Sequence, residues 1–147
     1  MIRSTLIRAI AALGAITSLA FATDDAEASY NVGAASGKPF WPADAGCFQN
    51  SGAGGLTNNC PAPSRYLVWY PHVDNDVGIT TTYVNFTGTG QCISYVFTYA
   101  GGYVTSSANI VSSGSMSLGS TYYAPNHFVE IRCLLAQSST VRSVYWQ

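Results

Sequence analysis

The chain has 147 residues, of which 9% are charged, and its formal net charge is −1 at pH 7. Beyond residue 28, only four basic residues remain, scattered along the chain and balanced by four acidic ones. Nucleic acids and anionic membranes are bound by clustered cations, so this composition predicts no nucleic-acid partner. Ten Tyr, three Trp and six Phe provide enough apolar material to argue against disorder. We therefore expect one small globular domain.

The chain begins with the pattern of a secretory signal peptide, predicted over residues 1–28. Arg3 and Arg8 precede a nearly unbroken apolar run, Ala9–Ala22, which is shorter than the roughly 20 residues that a membrane span needs. One small-x-small cleavage site ends this run and a second ends at Ala28. We favour the second, because it leaves a polar segment before the cut. An uncleaved anchor is the alternative. The pattern predicts a protein that is secreted, periplasmic or on the cell surface, with no transmembrane span in the mature chain.

Residues 29–45 are mostly small and polar, and we predict a mobile N-terminal arm or loose first strand there. Residues 46–147 show no helical periodicity, so no helix is expected after the signal peptide. Short β-rich runs alternate with Gly, Pro, Ser and Asn turn signals about every ten residues. This is typical of an all-β antiparallel sandwich with Greek-key-like connections. The predicted strands are Gly46–Asn50, Leu56–Cys60, Arg65–Tyr70, Ile79–Phe86, Gln91–Tyr99, Tyr103–Val111, Ser115–Leu118, His127–Leu135 and Thr140–Trp146.

Four cysteines, Cys47, Cys60, Cys92 and Cys133, follow the predicted signal peptide. An even number in a small exported chain indicates two disulfides, and four cysteines allow three connectivities. We favour Cys47–Cys60, which closes a short glycine-rich loop, and Cys92–Cys133, which joins two well-defined strands. A zinc site would need closely spaced cysteine pairs, and the sequence has none. No metal or other cofactor is therefore predicted.

The strand containing Cys92 has a pattern with two interpretations. Tyr95, Phe97 and Tyr99 alternate with the cysteine face, so an inward Cys92 would leave these aromatic side chains pointing outward. A bulge near Gly90 would reverse the alternation and put the aromatics in the core, which is the more usual arrangement and the one we favour. Without the bulge, they would form a binding platform. In the strand His127–Leu135, the same alternation predicts that Glu130 and Arg132 face water.

Exposed Tyr and Trp rings bind polysaccharides by stacking against the C–H faces of sugars, while Asn, Ser and Thr bond the hydroxyls. The candidate ligand-binding residues are Trp69, Tyr95, Phe97 and Tyr99, and the pairs Trp69/Tyr70 and Tyr122/Tyr123 are further candidates. Aromatic residues also fill sandwich cores, and that is the competing explanation. The main hypothesis is a non-catalytic binding or surface-structural module, whose partner is a polysaccharide or another surface component.

The alternative function is a small secreted hydrolase with a site near His72 and His127. The sequence contains no G-x-S-x-G or H-E-x-x-H motif, so such a site would have to be assembled in space, and no catalytic residue is assigned. Asp74, Asn75 and Asp76 could hold Ca²⁺, but these residue types also favour turns, which is the preferred explanation. A third hypothesis is assembly through a weakly charged strand edge such as Gln91–Tyr99.

Several short motifs carry a resemblance to a known group of proteins. They are G-C-F-Q at Gly46–Gln49, C-P at Cys60-Pro61, the segment Val73–Asp76, Q-C-I-S at Gln91–Ser94, V-E-I-R-C-L at Val129–Leu134 and a closing R-S-V-Y. With these motifs, the chain resembles a loose group of small exported bacterial two-disulfide proteins with no assigned activity. The resemblance implies two disulfides in an all-β sandwich and carries over no catalytic residue.

Overall fold

The computed structural model describes residues 30–72, 78–122 and 125–147, and the predicted signal peptide lies outside these ranges. Within them, the chain forms two antiparallel sheets. The strands are β1 (Tyr30–Gly33), β2 (Lys38–Pro39), β3 (Phe48–Asn50), β4 (Leu56–Asn58), β5 (Arg65–Trp69), β6 (Ile79–Thr87), β7 (Gly90–Thr98), β8 (Tyr103–Ser106), β9 (Gly114–Tyr122), β10 (His127–Leu135) and β11 (Thr140–Trp146).

One sheet has five strands in the order β2-β5-β10-β7-β8. The other has six: the order β3-β4-β11-β6-β9, with β1 also pairing with β11 beyond the end of β4. The predicted all-β antiparallel sandwich is confirmed. Two short 3-10 helices, Ala34–Ser36 and Pro42–Cys47, interrupt the strands of the N-terminal part. A 3-10 turn is too short to leave a periodic pattern in a sequence, which explains why neither was expected.

The core lies between the two sheets and consists of side chains that alternate inward along the long strands. Ile131 and Cys133 on β10 and Val96 on β7 are fully buried, as are Val141 and Val144 on β11 of the other sheet. These residue types are favoured in strands and pack well face to face, so the alternation and the burial agree. The remaining large buried side chains include Leu67, Trp69, Ile79, Val84, Phe86, Met116, Leu118, Val129, Leu135 and Trp146.

The pairing of β7 with β10 decides the direction of the aromatic residues on β7. The register runs without a shift from Gly90 opposite Leu135 to Thr98 opposite His127. The bulge that we favoured near Gly90 is therefore wrong for this pair of strands. Since Cys92 is fully buried and the alternation is unbroken, the other face of β7 points away from the core.

Both favoured disulfides are present. Cys47 bonds Cys60 beside the loop between β3 and β4, and Cys92 bonds Cys133 directly across the β7–β10 pair. The described part of the chain contains no free cysteine. The second disulfide joins the two strands that carry Tyr95, Phe97 and Phe128, whose side chains point outward.

The segment predicted as a mobile arm pairs with both sheets in the structure. β1 lies along β11 and β2 lies along β5, while Ala34 between them is fully buried. Small residues permit this packing: a Cβ at Gly37 would lie only 2.6 Å from the ring of Trp69, and the Trp69 indole donates a hydrogen bond of 3.2 Å to the Ala34 carbonyl. The small residues that suggested a loose arm thus form a close contact with the core. The mobility of the arm and the boundary at residue 46 stay predictions.

In the described residues, no helix has the length and apolar character required to cross a membrane.

Candidate functional site

The outer surface of the five-stranded sheet carries a continuous set of aromatic side chains, which we call the aromatic face. It follows from the strand register, because residues that alternate with buried core positions on β5, β7 and β10 must point outward. Each of its rings contacts another ring of the face or the guanidinium of Arg132. The members are Phe40, Tyr66, Tyr70, Tyr95, Phe97, Tyr99, Tyr103 and Phe128.

A phenylalanine pair forms the base of one half of this face. Phe97 and Phe128 are directly opposite each other on β7 and β10, with ring centroids 5.3 Å apart and planes inclined by 23°. The two rings are half-buried because they stack on each other and on the sheet. Such a cross-strand pair stabilises the sheet and gives the face a rigid floor.

Three exposed tyrosines surround the phenylalanine pair, and we call them the tyrosine rim. Tyr70 and Tyr99 lie 6.4 and 6.1 Å from Phe128, and Tyr103 lies 6.2 Å from Phe97, measured between ring centroids. Tyr70 is 55% exposed and the other two are 62% exposed. Rings that remain so exposed around an apolar floor leave a surface on which a ligand can pack.

Arg132 occupies the centre of the other half of the face. Its guanidinium carbon lies over two rings, 4.2 Å from the centroid of Phe40 and 4.9 Å from that of Tyr95. Its Nε donates a hydrogen bond of 2.7 Å to Oε1 of Glu130, and Nη2 donates to the same oxygen. A planar guanidinium combines ring stacking with carboxylate binding, which a lysine ammonium could not reproduce.

Glu130 does not face water as expected, although it lies on the outer side of the sheet. It is only 5% exposed, since neighbouring side chains of the aromatic face enclose it and Arg132 covers it. Burial, the negative charge of Glu130 and a hydrogen bond to Glu130 together raise the pKa of the Tyr70 hydroxyl, while the charge of Arg132 lowers it. Tyr70 thus links the tyrosine rim to the Glu130–Arg132 pair.

Of the predicted ligand-binding residues, three lie on the aromatic face and one does not. Tyr95, Phe97 and Tyr99 point outward, whereas Trp69 is 2% exposed and belongs to the core. Trp69 shares the parity of Leu67 on β5, and Leu67 is fully buried. Trp69 therefore offers no ring face to a ligand. Its neighbour Tyr70 lies on the aromatic face and is exposed.

The structure describes only some of the residues of the other sequence-based hypotheses. His127 is half-buried with its ring edge-on to Tyr122, at 5.4 Å between centroids, and His72 is exposed. Asp74, Asn75 and Asp76 of the calcium hypothesis, and Tyr123, lie outside the described residues. In the described ranges, no three His, Cys, Asp or Glu side chains are grouped so that they could hold a metal ion. The hydrolase hypothesis stays untested.

A second, smaller aromatic feature lies on the outer side of the six-stranded sheet. Tyr83 and Tyr145 are cross-strand partners on β6 and β11, with ring centroids 4.5 Å apart and planes inclined by 7°. They adjoin a shallow open cavity that Asn85 and Ser113 also line. Because these two rings stack on each other and are only partly exposed, they provide an aromatic control site on the opposite sheet.

Sequence reasoning missed Phe40, Tyr66, Tyr103, Phe128 and Arg132 as members of the face. Phe128 and Arg132 could have been found, because they alternate with Cys133 just as the β7 aromatics alternate with Cys92. The position of Phe40 depends on how β2 pairs with β5 and gave no local signal.

No protein-family model matches the chain, and no curated protein matches it. Among solved structures, the fold is similar to that of a low-affinity xylan-binding module, CBM86, from the gut symbiont Roseburia intestinalis. The two share 11% sequence identity with a TM-score of 0.50, and the match covers 81% of this chain and 94% of that module. The likeness supports the sandwich fold. The resemblance to small exported bacterial proteins stays a prediction.

Proposed function

We propose that the protein is a secreted, non-catalytic module that binds polysaccharide through the aromatic face. The observation that carries the proposal is the tyrosine rim: three rings, each more than half exposed, around one phenylalanine pair. Soluble proteins rarely leave large contiguous apolar patches exposed unless these bind something. Sugars suit this surface, because their C–H faces pack on rings while their hydroxyls bond to Tyr hydroxyls and Arg N–H groups.

Two further observations support the proposal. The fold is similar to that of a xylan-binding module, so a sandwich of this kind can present a glycan-binding surface. Both disulfides fit export, because such bonds persist in oxidising compartments. A signal peptide over residues 1–28 and a location outside the cytoplasm complete the proposal.

The test is retention of the oxidised protein on a panel of insoluble xylan, cellulose, chitin, starch and mixed-linkage β-glucan. Tyr99→Ala and Tyr103→Ala remove rim residues that are 62% exposed, so we expect little change in stability. Truncating a side chain that contacts the ligand closely weakens binding by about 1–2 kcal/mol, or roughly 5- to 30-fold, and we expect this loss for each rim variant. The control is Tyr83→Ala on the opposite sheet, which should bind like the unmodified protein.

Retention on at least one polymer that is weakened by the rim variants and kept by the control would support the proposal. If no polymer retains the protein, or if the control loses retention as much as the rim variants do, a polysaccharide-binding role for the aromatic face is refuted.

A further inference from the structure

The charge balance of the aromatic face bears on which glycans it accepts, and this inference rests on the proposed function. The face contains one ion pair at its centre, Glu130 with Arg132. Lys38 on the edge strand β2 is a further cation on this side of the sheet, but it is exposed, where solvent and salt screen its field. The central pair is enclosed by rings and is screened much less.

The hydrogen bonds of Arg132 show how its charge is used. Nε and Nη2 both donate to the Glu130 carboxylate, and the guanidinium also lies over the rings of Phe40 and Tyr95. These two bonds use two of the five N–H groups of the guanidinium, and the side chain stays 24% exposed. Arg132 therefore has N–H donors left for a ligand, while its positive charge is already balanced by the carboxylate beside it.

We propose that the aromatic face selects uncharged glycans, whose hydroxyl oxygens accept hydrogen bonds from Arg132 while Glu130 cancels its attraction for anions. A uronate or sulfate group that approaches Arg132 also approaches Glu130, and the two Coulomb terms oppose each other. A neutral hydroxyl avoids that repulsion and still receives a directed donor. Glu130 is thus a specificity residue that acts by excluding acidic polymers.

The deciding variant is Glu130→Gln, which keeps the shape and an acceptor for Arg132 but removes the negative charge. Asp44→Asn is the matched control: it removes one carboxylate from the ion pair of Asp44 with Arg65, whose atoms are 2.9 Å apart. Arg65 shares the parity of the buried Leu67 and so lies off the aromatic face. Both variants remove one negative charge from the protein, so they differ only in whether that charge was on the aromatic face.

The assay measures binding to soluble arabinoxylan and mixed-linkage β-glucan, which are neutral, and to polygalacturonate, which is acidic. Each is measured at about 0.01 M and about 1 M NaCl, where the Debye length falls from about 30 to about 3 Å. We expect the unmodified protein to bind a neutral polymer with little salt dependence. Glu130→Gln should gain about tenfold in affinity for polygalacturonate at low salt and lose the gain at high salt, since it exposes an uncompensated cation. Asp44→Asn should not gain.

The outcomes separate this inference from the proposed function. The proposed selectivity is overturned if the unmodified protein binds polygalacturonate more strongly than the neutral polymers and this binding weakens with salt. The proposed function would survive that result. The selectivity is also overturned if a folded Glu130→Gln variant gains no more affinity for polygalacturonate than Asp44→Asn does. If Glu130→Gln fails to fold, the comparison of neutral and acidic polymers with the unmodified protein still decides the question. Absence of binding to all polymers refutes the proposed function itself.

Discussion

Replacing Arg132 by methionine tests the account of the ion pair at the centre of the aromatic face. The substitution leaves the Glu130 carboxylate, which is only 5% exposed, without its cation. Breaking a fully buried pair costs about 3–5 kcal/mol. The 24% exposure of the Arg132 side chain admits water and reduces that cost, while the loss of two ring contacts adds about 0.5–1 kcal/mol each. We expect a loss of about 2–3 kcal/mol in the free energy of unfolding.

The double variant Glu130→Leu with Arg132→Met separates the stranded charge from the lost packing. Apolar replacement of a whole buried pair is often close to neutral, so we expect the double variant to recover to within about 1 kcal/mol of the unmodified protein. Urea-induced unfolding gives the free energy of unfolding of both variants, provided that the dependence of that free energy on urea concentration keeps the same slope. The reasoning is refuted if Arg132→Met changes the free energy of unfolding by less than about 0.5 kcal/mol, or if the double variant is less stable than the single one.

Two further predictions concern the scaffold beneath the face. Replacing both cysteines of the β7–β10 disulfide by alanine should lower the free energy of unfolding by about 4 kcal/mol, because this bond closes a loop with a sequence separation of 41. The same replacement at the disulfide beside the β3–β4 loop should lower it by about 3 kcal/mol, because the separation there is only 13. A reversed order in denaturant unfolding would contradict the loop-entropy argument. Gly37→Ala should cost about 1–3 kcal/mol by overpacking, because its Cβ would meet the Trp69 ring at 2.6 Å. Gly46→Ala is its control, with no atom within 4 Å of the added Cβ, and equal melting temperatures for the two variants would refute the clash.

The architecture could be predicted from the sequence because its signals are local. Alternation along β10 and the turn residues between strands indicated the sandwich. The favoured disulfides followed from the short loop between Cys47 and Cys60 and from the two strands that hold Cys92 and Cys133. The N-terminal segment was harder, because its small residues suit a loose chain and close packing equally well. What separates the two is the contact of Gly37 with Trp69, which joins distant parts of the sequence.

The aromatic face could be predicted only in part. Tyr95, Phe97 and Tyr99 were identified from alternation with Cys92, but choosing the outward direction required the register of β7 against β10. Trp69 was misassigned because β5 has several bulky residues in succession, so its pattern does not mark an inward face. The burial of Glu130 depends on rings from other strands and on Arg132, and nothing in the β10 sequence alone indicates it.

The central claim is that a glycan binds across the tyrosine rim. The most direct measurement is an NMR titration of the isotopically labelled protein with a soluble oligosaccharide of the polymer that retains it. The account predicts concentration-dependent shifts of the ring signals of Tyr70, Tyr99 and Tyr103, with Tyr83 and Tyr145 unchanged on the opposite sheet. Shifts confined to Tyr83 and Tyr145, or binding that leaves the rim signals unmoved, would contradict it.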